Sequence, residues 1–318
     1  SLAASGKKNN IEPHKTNWKS WLKKRLSRLY PTYWLAILLT LLIYLFFAKI
    51  KINSPLDFGL ILVGVPGYER FKTINPGFWF FSVILQAYLV IPLVLSICKS
   101  KPMRILLLGI AIGLLTKIAG SQLHQLDFTQ TTQIFGFEVK NPYLYLFFLQ
   151  NNFLGSYFFQ LCLGLYWGFV YFNHKSFRKS DFMVATGVFA CGLMVYMSMM
   201  VSKIDIIYML GFDMIFTPFF FIGFAGIFEY LSRHKWLGYG LSFLGLAGVY
   251  SYQVYLVHQP LIFVLLPYLK ETIHGDVSLR LLVSIVTTTV LLTVYVFAFT
   301  QLESFLRKVV GKLSSNPV

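Results

Sequence analysis

The stretch Val249–Pro267, "VYSYQVYLVHQPLIFVLLP", is long and apolar enough to cross a bilayer, yet it holds Ser251, Tyr252, Gln253, Tyr255 and His258. A transmembrane helix needs ~20 mostly apolar residues for a ~30 Å hydrocarbon core. Polar groups inside that core are costly unless they face protein or water. Ser251, Tyr255 and His258 follow one another at single-turn spacing and share one helical face, with Tyr252 beside them. Pro260 has no N–H to give the Leu256 carbonyl, which predicts a kink and a freed carbonyl one turn from the imidazole. Histidine titrates near neutrality and suits general base work. It serves equally well as a hydrogen-bonded packing group between helices, and from these residues alone the two readings stand level.

The rest of the chain repeats the apolar pattern. Its 318 residues are 56% hydrophobic, above the ~45–50% of soluble domains, and the excess lies in blocks. Eight blocks are long enough to span: 32–48, 77–98, 103–120, 152–172, 182–201, 209–231, 244–267 and 279–301. The fold class is therefore all-α, a polytopic membrane helical bundle of about eight transmembrane helices. Residues 1–31 read as a cytoplasmic tail and interfacial basic helix, 32–301 as the membrane domain, and 302–318 as a cytoplasmic C-terminal tail. "YLYLFFLQNN", from Tyr143, reads as an interfacial or re-entrant piece. With the N-terminus inside, 19 of the 28 lysines and arginines fall in cytoplasmic segments, which places both termini in the cytoplasm. The net charge of +16 then reflects basic loops facing anionic lipid and excludes a nucleic-acid partner, since no basic patch sits on a soluble module. Cys98, Cys162 and Cys191 lie in or beside apolar blocks without metal spacing and read as small core hydrophobes. The opening residues are polar and show no signal peptide.

Five further segments carry polar groups. In "NWKSWLKKRLSRLYPTYW", from Asn17, Trp18, Leu22, Leu26 and Leu29 fall on one helical arc and Lys19, Lys23, Lys24 and Ser27 on the other, an interfacial amphipathic helix. Arg25 breaks the pattern by pointing into the apolar arc, with Arg28 at its edge. Two guanidiniums one turn apart, followed by Tyr30 and Pro31, can cradle a phosphate or snorkel to lipid headgroups. Pro31 is expected to bend the chain into the first span. In "NPGFWFFSVILQAYLVIP", from Asn75, Gln86 and Tyr88 lie inside a span, Ser82 shares a face with Gln86, and Trp79 fits an aromatic belt. An amide such as Gln86 needs partners in lipid. Lys117 interrupts the third block, and Asp213 and Glu229 sit at the ends of the sixth, where structural roles suffice. Glu303 stands where the last span leaves the membrane, a place where charge is ordinarily solvated. Metal, phosphate-loop and nucleophile-elbow motifs are absent from the sequence.

Together these stretches resemble a known family. "KKRLSRLYPTYW" is similar to the R-x-x-R-x-Y-P-x-Y-W signature of the acyltransferase-3 family of integral membrane acyltransferases. "FWFFSVILQAYLVIP" resembles its W-F-x-S-x-x-x-Q-x-Y-L-x-x-P span, "YSYQVYLVHQPLI" its S-Y-x-x-Y-L-x-H-x-P span, and "TQLESFLRKVV" its closing x-E-x-P-x-R-K segment. The four matches keep the family's order from residue 23 to about 310. The resemblance implies an O-acyltransferase that moves an acyl group, commonly acetyl, from acyl-CoA to a hydroxyl of a sugar or lipid-linked glycan, in a bacterial inner or plasma membrane. Acetyl-CoA would be a donor substrate, with no permanently bound cofactor. Arg25, Arg28 and Tyr30 map to the coenzyme A phosphate side, and Trp79, Tyr88, Ser251, Tyr252 and Glu303 to acceptor contacts. His258, Tyr255 and Gln86 map to the chemistry. Membrane lipids and a glycan acceptor are the implied partners, with homo-oligomerisation left open.

The chain departs from the family pattern in three places. Members usually begin with about two more spans, the first carrying an arginine and a histidine central to catalysis. Neither span is in this sequence; the resemblance implies that "LAASG" (residues 2–6) is the remnant of the family's F-x-x-S-G at the end of the second, that the principal base is the family's histidine, with His258 orienting the acyl group or relaying a proton, and that His258 is the second choice for the base itself. Many members have a glutamate just before the position of Gln86, where this chain has Ile84 and Leu85, and Ser304 replaces the closing proline. The rival reading is a carrier or permease for a sugar, lipid or anion, in which mid-membrane polar residues are equally at home. Against it, the chain shows no repeated pair of Gly/Pro-broken spans.

Overall fold

A computed structural model describes residues 17–47, 54–65, 71, 74–124, 131–134, 137–140, 153–174, 176–201, 212–232, 234, 245, 248–272 and 276–315. Nine α-helices lie among the described residues: α1 (Trp18–Phe47), α2 (Pro55–Val63), α3 (Trp79–Ile97), α4 (Pro102–His124), α5 (Phe158–His174), α6 (Lys179–Val201), α7 (Phe212–Ser232), α8 (Ser251–Thr272) and α9 (Val277–Ser315). Short 3-10 turns, Pro76–Phe78 and Leu154–Tyr157, lead into α3 and α5. Strands β1 (Thr131–Ile134) and β2 (Phe137–Lys140) form an antiparallel hairpin between α4 and α5 in the sequence. The leading tail, "LAASG" and the "YLYLFFLQNN" piece lie outside the described residues.

The protein is a multi-pass helical membrane protein. Among the described residues six helical stretches are both long and apolar enough to cross: Trp18–Phe46, Pro76–Ile97, Pro102–Ala119, Lys179–Ser198, Asp213–Ser232 and Val277–Val309. The other two expected spans are present as helices of a different character. α5 has 17 residues, short of the ~20 a span needs, and α8 carries the polar face that lowers its hydropathy. Only 6% of the apolar window of α9 is buried; Leu282, Val290 and Phe297 project outward, as suits a surface solvated by lipid. The basic segment and the first span are one continuous helix, with Pro31 inside it. The last span likewise runs on to Ser315. α2 fills a stretch to which no element was assigned from the sequence.

The chain divides into two compact units, Ser1–Leu22 with Val83–Ser242, and Lys23–Ser82 with Phe243–Val318. In the first, α5 supplies the stripe Phe159, Leu163, Tyr166, Trp167 and Val170, packed on Ala185 of α6 and Met214 and Ile222 of α7. α4 meets α5 through Gly109, the first glycine of a G-x-x-x-G pair with Gly113: a Cβ on Gly109 would lie 2.4 Å from the Cys162 Cβ. Lys117 of α4 pairs with Asp213 of α7 at 3.0 Å, and Gln160 Nε2 donates to Asp213 Oδ2 at 2.6 Å. The two charges that interrupt the third and sixth blocks thus neutralise each other. Cys98 and Cys162 are buried, whereas Cys191 is exposed on α6 and is not a core residue.

In the second unit, α1 closes the open end of α2. A helix C-terminus leaves its last carbonyls unpaired, which lipid does not tolerate. Tyr33 Oη donates to the Ile61 carbonyl at 2.7 Å, Trp34 Nε1 to Leu62 at 2.9 Å and Tyr30 Oη to Val63 at 2.9 Å. Gly64, at φ +80°, ends the helix and returns its own N–H to the Ile61 and Leu60 carbonyls. The Tyr33 ring lies flat on Phe81, 3.7 Å between centroids. Trp34→Phe should cost about 1–3 kcal/mol, because the residue four beyond Leu62 is Pro66, which has no N–H to offer. Tyr33→Phe should cost less, since Ile61 keeps the Gly64 N–H; thermal unfolding in detergent of the two variants checks the order.

Candidate functional site

The candidate site is built on α8. Pro260 leaves the Leu256 carbonyl without its helical donor, and the side chain of Asn75 takes that place, Nδ2 to oxygen at 2.7 Å. Asn75 also caps the turn Pro76–Phe78, its Oδ1 accepting the Gly77 N–H at 2.9 Å. The chain emerging from this turn lays Trp79 and Phe80 against Tyr255, at ring distances of 5.8 and 4.3 Å. The Tyr255 ring meets His258 edge-on at 5.4 Å. The structure therefore brings together Trp79, Tyr255 and His258.

The surroundings of His258 decide its tautomer. Nδ1 lies 2.8 Å from the Tyr255 carbonyl and 3.1 Å from the Val254 carbonyl. Carbonyl oxygens only accept, so Nδ1 must carry the proton in the neutral ring. The lone pair is then on Nε2, which makes no hydrogen bond among the described residues. That is the protonation pattern a general base requires.

Glu303 is not a solvated exit charge. It is 8% exposed and ties α9 to α1 and α8. Its Oε1 accepts from Arg307 Nε at 2.9 Å and Nη2 at 2.7 Å, and from the Thr32 hydroxyl. Its Oε2 accepts from Gln253 Nε2 at 3.4 Å. Arg307 Nη2 also donates to the Arg28 carbonyl at 2.7 Å. The sequence shows the i, i+4 pair of Glu303 and Arg307, but the partners on α1 and α8 are distant in the chain.

The other expected residues take varied places. On α1, Lys19, Lys23, Lys24 and Ser27 are exposed and Leu29 is buried, so the amphipathic arc holds. Arg25 is half-buried, and Arg28 is exposed with its guanidinium unbonded among the described residues. Tyr30 gives its hydroxyl proton to Val63. Ser251 is exposed at the start of α8, and Tyr252 Oη reaches the Leu29 carbonyl at 3.5 Å. Gln86 and Tyr88 belong to the first unit, where Gln86 Oε1 accepts the Leu154 N–H at 3.0 Å and Tyr88 meets Trp21 edge-on at 5.6 Å. Asn75 was missed in the sequence reading, although an Asn-Pro-Gly turn and a proline-freed carbonyl are both visible there.

The Glu303 cluster yields a stability test. Arg307→Met alone should cost about 3–5 kcal/mol, because it strands a buried carboxylate, whereas Glu303→Leu with Arg307→Met should recover much of the loss. Unfolding of the single and double variants in detergent measures the recovery.

A family model described as an acyltransferase domain, acyltransferase 3, matches residues 11–300. No curated protein and no solved structure matches the chain.

Proposed function

The chain belongs to the acyltransferase-3 family, and from that premise we propose that it transfers an acetyl group from acetyl-CoA to a hydroxyl of a sugar or lipid-linked glycan. The observation that carries this reading is the imidazole of His258, with Nδ1 committed to two carbonyls and Nε2 without a hydrogen bond among the described residues, beside the Tyr255 ring that Trp79 meets. Arg25 and Arg28 attract the donor's phosphates at the cytoplasmic face, Arg28 with an exposed guanidinium that makes no hydrogen bond among the described residues. Trp79 and Tyr255 wall the acyl group. Ser251 and Tyr252 line the approach of the acceptor.

The acceptor oxygen bonds to the thioester carbonyl carbon as its proton passes to His258 Nε2. The tetrahedral oxyanion then collapses, the carbon–sulfur bond breaks, and the imidazolium returns the proton to the leaving thiolate. Nε2 of His258 is the proton acceptor in this reading.

Membranes carrying the protein, given labelled acetyl-CoA and a glycan extract, should form an ester, and His258→Ala should lower its yield by about 10²-fold or more. Arg28→Ala should weaken coenzyme A binding without loss of folded protein. Undiminished ester in His258→Ala overturns the proposal, and uptake of a solute without any ester points to a carrier.

A further inference from the structure

The use of His258 depends on a backbone that its own helix has broken. Pro260 removes the N–H that would hold the Leu256 carbonyl, and both Leu256 and Asn75 are 0% exposed, so solvent cannot substitute. A bare carbonyl in that setting is strongly disfavoured. The orientation of the Asn75 amide follows from its neighbours. The Gly77 N–H can only donate and the Leu256 carbonyl can only accept, so Oδ1 faces the first and Nδ2 the second. The turn approaches α8 closely: a Cβ on Gly77 would lie 3.2 Å from the Tyr255 carbonyl and 3.4 Å from Gln259 Oε1. The Tyr255 carbonyl against this turn is the one that holds His258 Nδ1.

Building on the reading of His258 given above, we propose that Asn75 is a positioning residue for it. Its amide replaces the hydrogen bond that Pro260 deletes. In doing so it pins the turn of α8 whose carbonyls set the tautomer and aim of the imidazole. Asn75 does not touch the reacting atoms; it acts through Leu256 and Tyr255.

Two substitutions separate this role from simple packing. Asn75→Leu removes the donor and should lower kcat by about tenfold to a hundredfold, with the KM for acetyl-CoA nearly unchanged. Pro260→Ala restores a backbone N–H opposite Leu256, so in that background Asn75→Leu should change kcat less than about twofold. Equal losses in both backgrounds overturn the proposal. Asn75→Asp keeps an acceptor for Gly77 but gives no donor while ionised. Its kcat relative to the parent should recover as pH falls and the new carboxyl gains an O–H; a ratio that is flat with pH counts against the proposal. Melting of the same variants in detergent gives an arm independent of transfer. Asn75→Leu should lower the melting temperature by several degrees with Pro260 present and by less with Pro260→Ala. A proposal that survives this arm while no ester forms would leave the Asn75–Leu256 contact standing and the assigned activity refuted.

Discussion

Water is absent from a bilayer's hydrocarbon, so each backbone carbonyl opened by a proline or a helix end must be met by a side chain. Much of the second unit follows from that demand. The last three carbonyls of α2 take Tyr33, Trp34 and Tyr30. The carbonyl freed by Pro260 takes Asn75. The aromatic run around Pro31 and the Asn-Pro-Gly turn before α3 are therefore donors first and apolar surface second. Their placement orders the helix that carries His258.

Charge is managed by the same economy. Lys117 and Asp213 cancel between α4 and α7, and Glu303 is enclosed by Arg307, Thr32 and Gln253. These carboxylates are engaged by the fold, whereas among the described residues His258 Nε2 and the Arg28 guanidinium make no hydrogen bond. Polarity alone singles out too many residues in such a chain. His258 Nε2 stands out because it lies on the α8 face that carries Tyr255, beside the turn that Asn75 holds. Glu303, which the family resemblance maps to acceptor contacts, is a buried carboxylate that Arg307, Thr32 and Gln253 engage.

Legibility in the sequence was uneven for physical reasons. Spans are readable because lipid demands continuous apolar runs, and seven of the nine helices fall chiefly within expected blocks. α1 began earlier than its block, since its amphipathic half and its apolar half form one helix across Pro31. α2 escaped notice because nine residues are too few for a span and its stability comes from donors on α1. At the site, the shared face of Tyr255 and His258 was visible from spacing. Trp79 was read as an interfacial aromatic, and its contact with Tyr255 could not be, because nearly two hundred residues separate them.

The amino-acid order by itself determined the membrane class, the helical blocks and the Pro260 defect, all of which follow from local apolar runs and from the chemistry of one imino acid. Only the tertiary structure decided which group repairs that defect, which nitrogen of His258 holds its proton, and that Glu303 is buried rather than solvated. Each of those outcomes depends on a partner far away in the chain or on the orientation of a ring, and neither is written in local sequence.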